Sequence, residues 1–126
     1  MYVGIDAAEI VRFKEWHKKP FQQLNRIFSI QEIAYCLNND QLSAQRFAAR
    51  FAAKEALYKV LTQLSTALPP FFTVCSASSL EHLPSGVPCF TINWERLDLI
   101  ASPITVSITH THAIAVAIVF LSESMK

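Results

Sequence analysis

The chain has 126 residues, a formal net charge of +1, 52% hydrophobic residues and 17% charged residues. This length predicts a single domain, residues 1–126, that buries about two-thirds of the surface its unfolded chain would expose. The near-neutral charge excludes binding to nucleic acid or an anionic membrane through bulk charge, so electrostatic recognition must be local.

The cysteines and the apolar runs restrict the class of protein further. Cys36, Cys75 and Cys89 share no metal-ligand spacing, which predicts buried, reduced thiols. The N-terminus lacks a signal-peptide pattern, and the longest uninterrupted apolar run, residues 113–121, is too short to span a membrane. We therefore expect a cytoplasmic protein with no membrane segment.

Residues 2–6 predict a short first strand, because Val3 and Ile5 alternate with Gly4 and Asp6. Asp6 ends this strand where the chain leaves the sheet. That position suits a ligand contact, and the alternative interpretation is N-capping of the segment that follows.

Residues 11–20 contain a local basic cluster that includes Arg12. A solvated face is the ordinary interpretation, and a docking patch for an acidic helix is the alternative. Residues 21–28 predict a short amphipathic helix. Ser29 and Glu32 then fit a capping box that starts a second helix running to about Leu37, which gives Glu32 a structural role.

Residues 41–64 predict one long helix with Asp40 at its N-cap, because they contain neither Gly nor Pro and are rich in good helix formers. Arg46, Arg50 and Lys54 are spaced four residues apart and would form a basic stripe on one face. Like charges at this spacing destabilise a helix by roughly 0.2–0.5 kcal/mol per pair. The stripe therefore indicates a bound anion, unless it is a solvated face.

Glu55 and Lys59 lie in the same helix at the spacing of a favourable surface ion pair. An ordinary exposed pair is therefore one interpretation. The functional alternative depends on the setting, since basic residues surround Glu55 and the helix carries small side chains that let a partner approach closely. These are alanines at positions 48, 49, 52, 53 and 56.

The C-terminal half predicts mainly strands. Residues 71–77 and 89–93 predict two strands joined through a turn at 84–88, and residues 94–99 predict a brief helix. Residues 104–109 predict a half-buried strand with hydroxyl side chains on one face. Residues 113–121 are apolar on both faces of a last strand, which predicts burial on both sides. His110 and His112 lie in the turn before it, where exposed histidines are the alternative to a ligand-binding role.

Three stretches resemble, in order, the motifs of the holo-[acyl-carrier-protein] synthases, the short 4'-phosphopantetheinyl transferases. The segment Arg50-Phe-Ala-Ala-Lys-Glu-Ala56 with Lys59 resembles the family signature. Gly4-Ile-Asp6 with Glu9-Ile-Val-Arg12 resembles the first strand and the loop after it, and Val106-Ser-Ile-Thr-His110-Thr resembles a histidine-bearing motif near the end. One departure is that residues 60–66 contain no glycine, where relatives carry a glycine-rich turn.

The resemblance implies an α+β fold, with a small, mostly antiparallel sheet packed with a long central helix and shorter helices, assembled as a homotrimer with active sites between chains. It also implies site roles. The expected catalytic residues are Asp6, Glu55 and Lys59, with Asp6 and Glu55 holding Mg²⁺, or Mn²⁺ in its place. The expected contacts to coenzyme A come from Arg50, Lys54, Ser107, Thr109 and His110, and Arg12 is expected to dock the acyl carrier protein.

The activity that the resemblance implies is a Mg²⁺-dependent transfer of 4'-phosphopantetheine from coenzyme A to a serine of apo acyl carrier protein, in support of fatty acid biosynthesis. The products would be holo acyl carrier protein and adenosine 3',5'-bisphosphate. Two alternatives stay open. One is another Mg²⁺-dependent phosphotransfer enzyme, and the other is a non-catalytic oligomeric binding module.

Overall fold

The computed structural model describes residues 1–123. The expected domain of residues 1–126 thus includes three residues, 124–126, that lie outside the described range. Two short 3-10 helices, Ile10–Phe13 and Trp16–Lys18, follow the first strand. The other elements are, in chain order, β1 (Tyr2–Glu9), α1 (Phe21–Leu24), α2 (Ile30–Leu37), α3 (Ser43–Thr62), α4 (Phe71–Ser76), β2 (Ser78–His82), β3 (Pro88–Ile92), β4 (Ile104–His110) and β5 (Ile114–Leu121).

The strands form two antiparallel sheets, where the sequence predicted one. The larger sheet has the order β1-β5-β4, and the smaller one is the hairpin of β2 and β3. In the larger sheet Ile118 of β5 is paired with Ile5 on one side and with Ser107 on the other. The α+β class, with small antiparallel sheets around one long helix, is confirmed.

The long helix α3 packs its alanine face against the inner face of the larger sheet. Fully buried alanines occur on both sides of this contact, Ala52 and Ala56 on α3 and Ala115 and Ala117 on β5. The helix begins later than predicted because Asn39, and not Asp40, caps the turn before it. The Asn39 side-chain oxygen accepts hydrogen bonds from the backbone N–H groups of residues 41 and 42.

Gly4 is the point of closest approach between β1 and α3. A Cβ atom at this position would lie 2.2 Å from the carbonyl oxygen of Ala56, which is backbone and cannot turn aside. Gly4→Ala should therefore push the strand from the helix and lower the free energy of unfolding by about 2–3 kcal/mol, as for other overpacked sites. Urea denaturation measures this change, and an unaltered midpoint would contradict the close packing.

Residues 71–76 form a helix, so the predicted strand over 71–77 is wrong. Pro70 precedes the helix with φ −58°, which a proline ring favours, and Val74 and Cys75 are its buried residues. The apolar, β-branched composition suggested a strand. The proline before residue 71 favours a helix instead, and the helix buries two of its residues in the core. The strand of this region begins at Ser78, and the turn predicted over 84–88 joins it to β3.

Two further expectations are modified. Residues 94–99 form consecutive turns and not a helix, because the N–H of Leu99 bonds to the carbonyl of Trp94 and Asp98 adopts a positive φ of 55°. The predicted helix over 21–28 is helical only over Phe21–Leu24.

The capping box is confirmed, since Ser29 Oγ accepts from the Glu32 N–H and the Glu32 carboxylate accepts from the Ser29 N–H.

The last strand buries one face only. Ala115, Ala117, Val119 and Leu121 face α3 and are fully buried, whereas Phe120 on the opposite face is exposed. Ile5 of the neighbouring β1 lies on that same outer face and is 55% exposed. The chain by itself therefore leaves an apolar strip along the outside of the larger sheet, and the predicted burial on both sides is not met within one chain.

Two of the three cysteines are buried as predicted. Cys36 and Cys75 are buried, and burial raises the pKa of each thiol to about 12. Cys89 is half-buried, and each of these thiols is unpaired in the described structure. Over residues 1–123, no helix is both long enough and apolar enough to cross a bilayer.

Candidate active site

Asp6 and Lys59 meet where β1 passes the C-terminal half of α3. Lys59 Nζ donates to Asp6 Oδ1 at 3.0 Å and to the carbonyl oxygen of Ile5 at 3.0 Å. The expected surface pair of Lys59 with Glu55 is therefore replaced by a pair with Asp6. The alternative role of Asp6 as a helix N-cap is not observed, because β1 continues three residues beyond it.

Glu55 is half-buried beside this pair. Its carboxylate has no hydrogen bond or ion pair among residues 1–123. Burial, and then the negative charge of Asp6, raises the pKa of Glu55, while Lys59 and Arg12 act in the opposite direction. The carboxylates of Asp6 and Glu55 therefore repel each other and are only partly compensated by the nearby cations.

This pair of carboxylates suits a hard, oxygen-binding cation. Mg²⁺ is usually bound by one or two carboxylates, and water and substrate phosphates fill its remaining positions. Zinc prefers several nitrogen or sulfur ligands, and no group of three or more His, Cys, Asp or Glu side chains with metal-binding geometry occurs within residues 1–123. Asp6 and Glu55 are therefore the residues of this site that could hold a hard divalent cation.

Arg12 lies on the first 3-10 helix, close enough to Glu55 to influence its charge. Its guanidinium group stacks over the rings of Phe13 and Phe51, 5.3 and 5.4 Å from the ring centroids. This stacking fixes an exposed cation beside the carboxylates. The basic residues that follow it, including Lys19 over the Trp16 ring, extend the positive surface away from the site.

Arg50 lies on a different face of α3 and is only 4% exposed. Its guanidinium stacks on the Tyr35 ring at 4.1 Å, and Arg46 stacks on the same ring at 4.0 Å. Arg50 Nη2 lies 3.5 Å from His82 Nδ1, and its buried Nε has no hydrogen-bond partner in the described chain. Burial lowers the pKa of Arg50, so this charge is poorly compensated.

Arg50 lines a cleft of ≈ 230 Å³. The pKa of His82, at the rim, is lowered by burial and by Arg50 and Arg46, which indicates a positive local potential. An anion in this cleft would compensate the positive charge of Arg50. Sequence reasoning did not include Tyr35 and His82, which are distant from α3 in sequence. The lining residues are Gln31, Tyr35, Arg50, Leu80, Glu81 and His82.

Lys54 lies in the core, and the predicted exposed basic stripe is therefore wrong. The residue is 1% exposed, and its ammonium lies 2.8 Å from Glu32 Oε1. It also donates to the carbonyl oxygens of Cys75 and Ser78, at 3.0 and 2.6 Å. Because all three donors are used inside the protein, Lys54 is not available to a coenzyme phosphate.

Within one chain, Ser107 and Thr109 lie on the face of the larger sheet opposite to Asp6, and His110 lies at the end of the same strand. They belong to β4, and β5 separates this strand from β1. Ser107 and Thr109 are exposed on the outer face, and His110 Nε2 lies 2.9 Å from the Gln45 side-chain nitrogen. Gln45 precedes Glu55 by ten residues, or about 15 Å along a helix. One chain therefore does not assemble all the predicted site residues.

Comparisons with known proteins place these features in a family context. Residues 2–117 match the model of the 4'-phosphopantetheinyl transferase superfamily. The holo-[acyl-carrier-protein] synthase of Moorella thermoacetica is 35% identical, over 98% of this chain and 94% of that protein. That of Protochlamydia amoebophila is 37% identical, over 91% and 92%. The structure of Helicobacter pylori holo-[acyl-carrier-protein] synthase in complex with coenzyme A has a TM-score of 0.73 and 28% identity, covering 95% of this chain and 99% of that one.

Proposed function

Since this chain belongs to the 4'-phosphopantetheinyl transferase superfamily, we propose that it moves 4'-phosphopantetheine from coenzyme A to a serine of apo acyl carrier protein. The products are holo acyl carrier protein and adenosine 3',5'-bisphosphate, and the process served is fatty acid biosynthesis. The observation that carries the proposal is the meeting of Asp6, Glu55 and Lys59 between β1 and α3, at the positions that match the family motifs.

Asp6 and Glu55 are the residues that would hold Mg²⁺, with Mn²⁺ as a substitute. When bound, the cation supplies positive charge to the pyrophosphate and to the leaving phosphate. The support for this assignment is the pair of neighbouring carboxylates, one without any ion pair among residues 1–123 and with a raised pKa.

Glu55 is the carboxylate proposed to accept the serine proton. It is half-buried and has no ion pair among residues 1–123, and burial raises its pKa. In the proposed step the serine oxygen bonds to the β-phosphorus, and the serine proton passes to Glu55. The bond to the bridging oxygen breaks, and adenosine 3',5'-bisphosphate leaves. Lys59, at the same site, stabilises the negative charge of the phosphates.

The coenzyme site is proposed to lie between subunits of a homotrimer. Ser107 and Thr109 lie on the face of the larger sheet opposite to Asp6 within a chain, so a neighbouring copy would bring such side chains to the carboxylates. The exposed apolar strip on the outer face of the larger sheet is suited to cover by that neighbour. Arg50 supports a phosphate contact, because it lines an open cleft and its guanidinium has no carboxylate partner within residues 1–123.

The carrier protein is proposed to dock on the basic surface that starts at Arg12. This residue is exposed, fixed by two aromatic rings and close to Glu55, so a partner held there would reach the carboxylates. A negatively charged partner surface would complement the exposed lysines that follow. The proposed unit is the whole chain of residues 1–126.

Intact mass spectrometry of apo acyl carrier protein tests the reaction directly. Incubation with this protein, coenzyme A and Mg²⁺ should add the mass of one phosphopantetheine group, and a chelator should prevent the gain. No gain with several apo carrier proteins, from a protein that is folded, would contradict the proposal. If Mg²⁺ together with other nucleotides stabilised the fold better than with coenzyme A, a different phosphotransfer enzyme would be favoured.

A further inference from the structure

We propose that the ammonium of Lys59 is the counter-cation of Asp6 in the metal-free site. A divalent cation that binds the site displaces this ammonium from Asp6. The inference rests on the proposed function, because it assigns Asp6 and Glu55 to the metal. It adds an exchange step that couples metal binding to the release of the lysine. Lys59 then has two successive roles, the first on Asp6 and the second on a phosphate oxygen.

The position of the ammonium defines the first role. Lys59 Nζ directs two of its three donors at β1, to Asp6 Oδ1 and to the carbonyl oxygen of Ile5. The Asp6 side chain is 20% exposed and that of Lys59 is 51% exposed. The contact is thus open to solvent and a lysine side chain is flexible, so the ammonium can leave without disturbing the core.

The charges explain why metal binding requires the exchange. Asp6, Glu55 and Lys59 together carry a net charge of −1 when all are ionised. A divalent cation on both carboxylates would lie beside an ammonium already in contact with Asp6, and the two like charges would repel at short distance. The repulsion is relieved when Lys59 turns away from Asp6, because its half-exposed stem leads to solvent.

Asp6 and Glu55 differ in whether they must lose a bound cation before they bind the metal. Glu55 has no partner in the described chain and requires no exchange, whereas Asp6 exchanges one cation for another. Release frees the two donors that Lys59 directs at β1, so all three N–H groups of the ammonium can then bind phosphate oxygens. Metal binding should therefore favour coenzyme binding through Lys59, and this linkage is reciprocal by thermodynamic necessity.

Binding of Mn²⁺ alone, followed by electron paramagnetic resonance, tests the exchange without coenzyme or carrier protein. Lys59→Met should bind Mn²⁺ about two- to fivefold more tightly than the parent chain, the range that corresponds to an exposed ion pair. Lys59→Arg keeps the charge and should not show the gain. Lys18→Met removes the same charge from another exposed pair, with Glu15, and should leave the affinity unchanged.

A second measurement follows the coupling. Mg²⁺ should tighten coenzyme A binding by a larger factor in the parent chain than in Lys59→Met, because only the parent has an ammonium to release. Unchanged or weaker Mn²⁺ binding by folded Lys59→Met would overturn the inference, as would an absence of Mn²⁺ binding in every variant. These assays need no transfer, so failure of the exchange is distinguishable from failure of the proposed reaction.

Discussion

Lys54→Met should lower the free energy of unfolding by about 3–5 kcal/mol, the usual range for removing one partner of a buried ion pair. The substitution keeps an unbranched side chain, shorter by the terminal nitrogen, and leaves the Glu32 carboxylate in the core without its cation. It also removes the donor from the carbonyl groups of Cys75 and Ser78. Because Glu32 also accepts from the backbone N–H of Leu80, the pair links α2, α3 and β2, and the loss should reach all three elements.

Lys18→Met is the matched control for this prediction. Lys18 and Glu15 form an ion pair of similar length, 2.9 Å, but their side chains are 69% and 64% exposed. Exposed pairs contribute at most about 1 kcal/mol. Urea denaturation of both variants compares the two losses at constant pH and salt. If Lys54→Met destabilised the protein no more than Lys18→Met, the buried pair would not have the structural role assigned to it.

The pair of Glu32 with Lys54 also illustrates the limit of local sequence reasoning. The capping box correctly predicted the local role of Glu32, because that role depends on Ser29 three residues away. Nothing local indicated that the same carboxylate also binds Lys54, which is 22 residues away in the chain. Lys54 was therefore assigned to an anion-binding stripe with Arg46 and Arg50, although tertiary contacts bury it in the core.

Secondary structure was predictable where local signals agreed. The long helix, the first strand and the strand after residue 103 each had a clear pattern, the last strand was a continuous apolar run, and each was found. Residues 71–76 carried conflicting signals, since a proline start favours a helix while Phe, Thr and Val favour a strand. The structure resolves the conflict by burying Val74 and Cys75 on one side of α4.

The candidate site was predictable through its motifs more than through periodicity. Helical spacing alone pairs Lys59 with Glu55, but Asp6 of β1, distant in sequence, takes the lysine in the folded chain. The resemblance to the family motifs assigned Asp6 and Glu55 to one site, although they are distant in sequence. It could not indicate the stacking of Arg50 on Tyr35, which depends on how α2 packs against α3.

Glu55→Gln should reduce transfer to acyl carrier protein by at least about 100-fold, the lower limit for losing a general base, and more if metal binding is also lost. Gln keeps the shape of the side chain but can neither accept the serine proton nor supply a charge to a cation. The assay is the initial rate of holo acyl carrier protein formation by intact mass spectrometry at saturating coenzyme A. Glu95→Gln, which changes an exposed glutamate in the turns after β3, should keep the parent rate.

The stability of Glu55→Gln separates loss of chemistry from loss of fold. The pKa of Glu55 is raised above its ordinary value of 4.5, so its protonated form favours the folded state, and this contribution is lost as the pH rises. At neutral pH the parent chain retains an ionised, half-buried carboxylate next to Asp6. Gln relieves that repulsion, and the melting temperature should stay the same or rise. An inactive variant with a raised melting temperature would indicate that Glu55 is kept for its chemistry at the expense of stability, whereas retained activity would exclude it from the metal and proton-transfer roles.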